Sequence, residues 1–347
     1  MKPIITAALL LFIAGGVQAQ NSIEQVLQHI ETNNKELQAN SQLITSQKLE
    51  AKTDNNLPNL YFTRNKLNRL KANTFDSQAA LFRQEKLLQA KELCLDIIML
   101  RQQKSILEER LRNAKELADM YAKRLKTGDA NALETNKINL ELLNVKTEAS
   151  LNETTLRNKL QELQVLNGNV PVIFEENQYP SQPFPADYQT LKSEVIASSR
   201  TLEALNNEGM AARKEITLNK SKWLPSLELG YKRNTESGAP LNGMVVGVSF
   251  PIFENRNKVK IAKAQALNIE LQKSNALLQV ESEFDQLYEE AKTLHASMEE
   301  YSRTFQSQQD LTLLKQALTG GEISMIEYFV EVSVIYQSHL NYLQLEN

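Results

Sequence analysis

Apolar residues along this chain return at steps of three and four over unusually long distances. Leu107, Leu111, Ala114, Ala118, Tyr121 and Leu125 alternate steps of four and three, which sets them on one helical face. A second run, Leu277, Val280, Phe284, Leu287, Ala291, Leu294, Met298, Tyr301 and Phe305, keeps the same rhythm for four heptads. A 3.5-residue repeat holds one stripe against a partner only when helices supercoil, so both runs predict coiled-coil seams. A helix from Arg64 to Lys126 would extend about 95 Å at ~1.5 Å per residue.

Each rod stops at a glycine. Gly128 and Gly321 are C-terminal stop signals. The apolar positions Leu133, Ile138, Leu140, Leu143 and Val145 then predict a return helix over 132–166. Ile326, Phe329, Val332, Ile335 and Leu340 predict another over 323–345. The result is two antiparallel hairpins with short tips at 127–131 and 320–324. Residues 167–187 hold Pro171, Pro180, Pro183 and Pro185, which rules out a continuous helix there.

The hairpins belong to a duplication. Arg64-Asn65-Lys66 opens the first rod and Arg256-Asn257-Lys258 the second; Lys66 to Gly128 spans 62 positions and Lys258 to Gly321 spans 63. Upstream lie Leu57-Pro58-Asn59-Leu60 and Leu224-Pro225-Ser226-Leu227, each after an amphipathic stretch. The order per copy is short helix, Leu-Pro corner, long helix, tip and return helix. The copies differ at one place: Pro58 to Lys66 is 8 positions, Pro225 to Lys258 is 33. The second copy therefore holds about 25 residues that the first lacks.

Those extra residues alternate with period two. Leu227, Leu229 and Tyr231 alternate with Ser226, Glu228 and Gly230; Met244, Val246, Val248 and Phe250 alternate with Val245, Gly247 and Ser249. Strands of about 9 to 11 residues with this pattern line transmembrane barrels, and a half-buried soluble hairpin alternates as well. The N-terminus favours the barrel: Lys2, an apolar run from Ile4 to Ala14 and the small-residue end Val17-Gln18-Ala19 have the layout of a cleaved secretory signal over 1–19. Leu227, Leu229, Tyr231, Val246, Val248 and Phe250 are then the candidates for a lipid-facing surface.

Bulk chemistry gives no sign of catalysis. The formal charge of −3 with both signs interspersed gives no nucleic-acid footprint. His29, His295 and His339 fall in separate helical segments without metal spacing, and there is no phosphate loop or nucleophile elbow. Cys94, the single cysteine, makes no internal disulfide and lies too deep in the chain to carry a lipid. An enzyme and a cofactor are not expected.

The repeated order, the Leu-Pro-x-Leu corner, the Ser249-Phe250-Pro251-Ile252-Phe253 strand end and the Gly-x4-Leu/Ile-acid tips resemble the TolC family of outer-membrane efflux proteins, over about 22–347. The resemblance implies a mainly α fold of two tandem helical hairpin repeats, at 20–166 and 188–347, joined by the 167–187 linker, with one β-hairpin at 224–253. It implies a homotrimer whose strands form one barrel in outer-membrane lipid and whose rods form a periplasmic tunnel. It further implies a passive duct meeting a periplasmic adaptor and an inner-membrane pump, with no nucleic-acid partner. Glu134 and Glu327, six positions after Gly128 and Gly321, match acids near the family's tunnel mouth and would form a cation-attracting ring under threefold symmetry. The competing reading is an exposed acid that favours the positive end of the return helix. Leu318 and Ile323 stand where family members that close by polar links carry an aromatic and a basic residue, so a closed mouth here is expected to rely mainly on packing.

The missing hairpin weakens the inheritance. Two strands per protomer give a trimer six, below the eight of the smallest ordinary barrels. Three explanations are open: Leu60-Tyr61-Phe62-Thr63 is the scar of an internal deletion, the chain assembles differently, or it is a degenerate relative no longer used for export; a periplasmic coiled-coil scaffold or adaptor-like protein that encloses no channel is the alternative function.

Overall fold

A computed structural model describes residues 22–53, 61–180, 183–185, 187–234, 241–249, 255–307 and 311–347. The signal-like segment, the first Leu-Pro corner and Phe250 lie outside these residues. Within them the fold is mainly helical: α1 (Ile23–Asn33), α2 (Lys35–Thr53), α3 (Tyr61–Thr127), α4 (Ala132–Leu166), α5 (Tyr188–Ser198) and α6 (Arg200–Ser221) precede the strands, and α7 (Lys258–Ser307), α8 (Leu311–Gly320) and α9 (Met325–Glu346) follow them. The two strands, β1 (Ser226–Asn234) and β2 (Leu241–Ser249), form one antiparallel sheet.

The longest rod is α3, 67 residues and about 100 Å. One half of it is covered by α2 and the other by α4, both antiparallel to it. The ion pairs Glu36–Lys86 and Lys48–Asp76 fix the direction of α2. The helices α4 and α2 meet mid-rod at a polar joint. Asn34 Nδ2 donates to the Leu166 carbonyl (2.8 Å), Asn33 Nδ2 donates to Asn167 Oδ1 (3.1 Å), and the fully buried Asn167 donates to the Val170 carbonyl. Gly168 closes α4 with φ +64, and a Cβ there would lie 2.3 Å from the Asn33 carbonyl oxygen. Only glycine fits both that left-handed backbone and that approach.

The second copy repeats the plan. Between α3 and α7 lies α6, antiparallel to both: Asn207 donates to Ser77, and Asn255 Nδ2 donates to the Lys222 carbonyl at the opposite end. The amphipathic stretch before each Leu-Pro corner is two helices rather than one. Asn34 and Ser199 each leave the helical backbone (ψ 122 and 114) and accept a bond from the N–H three residues on, so each ends one helix and caps the next. The linker contains no helix among its described residues. It straps α3 instead: Arg101 donates to the carbonyls of Phe174 and Glu176, and the Phe174 ring enters the core.

Two apolar clusters organise the rods. Mid-rod, Ile23, Val26 and Ile30 of α1 meet Leu93, Ile97 and Ile98 of α3 and Leu163 of α4. Cys94 is buried among them, and burial pushes its thiol up to about 12, so it is a packing residue. The second cluster lies at the tips. The expected seams are only partly covered: Leu107, Ala114, Ala118, Tyr121 and Phe284 are buried, but Leu125 and Leu287 are exposed. On the return helices Ile138, Val145, Val332 and Ile335 are buried while Leu133, Leu140, Leu143 and Ile326 face outward.

Candidate functional site

Both tips are built from the same two devices. Where α3 ends, the Gly128 N–H bonds to the Leu125 carbonyl (3.3 Å) and the Asp129 N–H to the Arg124 carbonyl (2.8 Å), with φ +84 at Gly128. Where α8 ends, Gly321 bonds to Leu318 (3.2 Å) and Glu322 to Ala317 (2.9 Å), with φ +76 at Gly321. This pairing of reversed bonds across a left-handed residue satisfies carbonyls that a helix end leaves open. Three residues after each glycine comes an N-cap, Asn131 or Ser324, and three residues later an acid.

The six-residue spacing from glycine to acid therefore has a local cause. Glu134 accepts from the Asn131 N–H (3.1 Å) while its own N–H donates to Asn131 Oδ1 (2.9 Å). Glu327 accepts from the Ser324 N–H (2.7 Å) and donates its N–H to Ser324 Oγ (3.3 Å). These are reciprocal capping boxes. The backbone and hydroxyl bonds at Ser324 hold the Glu327 carboxyl below the usual glutamate range. Within one chain both carboxylates are engaged with their own helix starts, which is the helix-end reading of the two acids.

The two tips share one core. Leu318 is buried, and Ile323 packs beside it, among Leu117, Tyr121, Ile138, Met325 and Tyr328. Packing thus joins α8 and α9 to α3 within the chain, and two polar links accompany it. Tyr328, fully buried, sets its hydroxyl 2.8 Å from Asn113 Nδ2 and 3.2 Å from Oδ1, and Lys315 pairs with Glu116. The Lys315 ammonium holds Glu116 below the usual range, although both side chains are exposed and solvent screens the pair. Farther from the tip, Arg110 bridges α3 to α4 through Glu141 (2.7 and 3.0 Å) and Glu148 (2.9 Å), with its guanidinium over the Tyr336 ring. Sequence reasoning missed all of these partners. Each lies far from its mate in the chain, so no local spacing announces them.

The strand pair carries the other candidate surface. Its register sets Leu227 opposite Val248, Leu229 opposite Val246 and Tyr231 opposite Met244. Ser226 opposes Ser249, Glu228 opposes Gly247 and Lys232 opposes Gly243. Opposed residues share a face, so Leu227, Leu229, Tyr231, Met244, Val246 and Val248 fall on one side, and Ser226, Glu228, Gly230, Val245, Gly247 and Ser249 on the other. Tyr231, Met244, Val246 and Val248 are exposed, Met244 at 83%. In the first copy seven residues separate α2 from α3, too few for two nine-residue strands.

Among solved structures, a membrane protein from Pseudomonas aeruginosa matches with TM-score 0.75 at 14% identity, covering 95% of this chain and 89% of that one. The outer membrane protein VceC from Vibrio cholerae matches at 0.74 and 11% identity, covering 93% and 91%. The CmeC outer membrane channel of Campylobacter jejuni matches at 0.73 and 12% identity, covering 93% and 82%. This chain has the fold of the TolC-like outer-membrane channels. No family model matches the sequence, and no curated protein does.

The rods lie side by side with exposed apolar residues such as Leu140 and Leu143, and a groove of about 490 Å³ among α3, α6 and α7 is lined mainly by polar side chains such as Thr74, Gln78, Glu208 and Gln272. Among the described residues no group of three metal-binding side chains occurs, and no helix is long and apolar enough to cross a membrane. His339 stacks on Phe305 (4.3 Å) and His295 tilts against Phe184 (5.3 Å), both as packing residues.

Proposed function

We propose that this chain is the outer-membrane exit duct of a tripartite export system, assembling as a homotrimer and coupled to a periplasmic adaptor and an inner-membrane pump. The register of the β-hairpin carries the reading: Leu227, Leu229, Tyr231, Met244, Val246 and Val248 fall on one side, Tyr231, Met244, Val246 and Val248 of them exposed, on strands long enough for a bilayer. The uncovered leucines support the trimer. Leu133, Leu140, Leu143 and Leu151 of α4, and Ile326, Val330 and Val334 of α9, form stripes that a single chain leaves in water. Copies related by threefold symmetry would cover them while leaving a hollow centre. The chain would reach this site after cleavage of its signal segment near Ala19, and it would work passively, with the driving energy supplied by the pump.

Under this reading Gly128, Gly321, Leu318 and Ile323 shape the tunnel mouth, and Glu134 and Glu327 set its charge. Replacing both acids by Gln in a conducting form should reduce cation preference; unchanged selectivity would remove them from the mouth. The two-strand count supports an internal deletion in the first copy that impairs pore formation.

One observation favours a second reading, a periplasmic scaffold enclosing no channel: the seven-residue join of α2 to α3 supplies no strands. Fractionation after expression separates the two. Heat-sensitive oligomers in the outer membrane support the duct, and a soluble periplasmic species supports the scaffold.

A further inference from the structure

The helix ends beside the strand pair carry a charge that the chain as a whole hides. Residues 61–71, 213–222 and 255–263 contain twelve Lys and Arg and one acid, Glu215, in a protein whose net charge is −3. The fold brings these three segments to one level. Leu67 packs on Leu218, Lys71 approaches Glu215 (3.9 Å), and Asn255 is bonded to the Lys222 carbonyl (2.6 Å).

The placement runs against local preference. Neither α3 nor α7 has an acid in its first turn; Arg64 stands there in α3, and Lys258 and Lys260 in α7. Cations at a helix N-terminus oppose its positive dipole end, so helix stability does not explain them. Lys66, Arg69, Lys220, Arg256, Lys258 and Lys260 are exposed, and among the described residues none of them forms an ion pair. Six exposed like charges at one level, none in an ion pair among the described residues, are stabilised by a counter-charge outside the chain.

The neighbours indicate what carries that counter-charge. Trp223 is 49% exposed and Phe62 87% exposed at the same helix ends, and Leu224 is exposed immediately before β1. From strand to rod the order is therefore an apolar face, then exposed aromatic rings, then cations. That is the order of hydrocarbon, interface and headgroup across one side of a bilayer. We infer that these helix ends form a basic collar that binds the anionic phospholipid headgroups of the leaflet facing the rods. The inference rests on the duct reading for the position of the hairpin, but it concerns a different contact.

The test uses the full chain, refolded in detergent and mixed with vesicles of phosphatidylethanolamine alone or with added phosphatidylglycerol, followed by flotation at low and high salt. The chain should bind the phosphatidylglycerol vesicles more tightly at low salt. The triple variant Lys66→Gln, Lys258→Gln, Lys260→Gln should lose about a hundredfold of that affinity, since each cation near such a surface contributes roughly fivefold. Unaltered helical circular dichroism would establish that the variant is folded. Equal binding by chain and variant, or equal binding to both vesicle types, overturns the collar. The same three substitutions, if they leave flotation normal but alter the anion preference of the hairpin-restored chain, place these cations on the lumen wall, which also overturns it. The two readings fail separately: a chain held by phosphatidylglycerol yet stripped by alkaline carbonate keeps the collar and loses the duct. A chain that resists alkaline carbonate in the outer membrane yet is indifferent to phosphatidylglycerol does the reverse.

Discussion

Restoring the absent hairpin is the perturbation most directly tied to the structure. Neighbouring strands lie ~4.8 Å apart, and at ~40° tilt each occupies about 6.3 Å of barrel circumference. Six strands, two from each of three chains, close at roughly 12 Å from backbone to backbone. Opposed sheets need ~10 Å for their side chains alone, so such a cylinder has no lumen. Twelve strands close at about 24 Å, leaving about 14 Å clear once both walls are filled. Height is not limiting: nine residues at ~3.3 Å and ~40° tilt rise about 23 Å, near the ~25 Å apolar band of an outer-membrane barrel. A hairpin of about 25 residues, the length present in the second copy, would be inserted between Leu60 and Tyr61, ahead of α3. Planar-bilayer recording should show steady single-channel steps for the restored chain and none for the chain as it stands. Equal conductance from both would refute the strand count and the trimer it assumes.

Glycine substitutions should separate backbone strain from collision. Gly128→Ala, with open space around its Cβ, should cost about 1 kcal/mol, whereas Gly168→Ala, aimed at the Asn33 carbonyl, should cost about 3 kcal/mol or more in urea unfolding; equal losses would place the Asn33 contact in doubt. Tyr328→Phe should cost about 1–2 kcal/mol by stranding the Asn113 amide, and Asn113→Ala combined with it should cost less than the sum of the two. Strict additivity would show that the hydroxyl and amide do not interact. Burial pushes His339 below its ordinary 6.5, so its protonation favours the unfolded chain. That part of the stability is complete above pH 6.5 and lost as pH falls through the lower folded value. His339→Phe should flatten the thermal-midpoint profile below pH 6.5, and a profile that keeps its slope would assign the loss to other groups.

What could be read from the chain was whatever is decided within a few residues. Gly128 and Gly321 end helices because only glycine takes their backbone without strain, and Asn131 and Ser324 start the next ones. The return helix begins at Met325 rather than at 323 because Ser324 is its cap. Heptads show which residues share a face but not whether that face has a partner, which is why Leu287 and Leu133 lie in the open while Phe284 and Ile138 are covered. The breaks at Asn34 and Ser199 were missed although both residues are good caps, because the apolar rhythm runs through them. The collar was hidden by averaging: a near-neutral total says nothing about where charges gather once α3, α6 and α7 are aligned.

The joint between α4 and α2 has a mechanical meaning. A butt joint between two short pieces is the weakest point of any wall, and here it falls against the uninterrupted middle of α3, as masons stagger the courses of a tower. Asn33, Asn34, Asn167 and Gly168 act as the mortar. Pull or thrust arriving at the tips passes along the continuous timber, so bending is resisted at mid-height without requiring every member to run the full length.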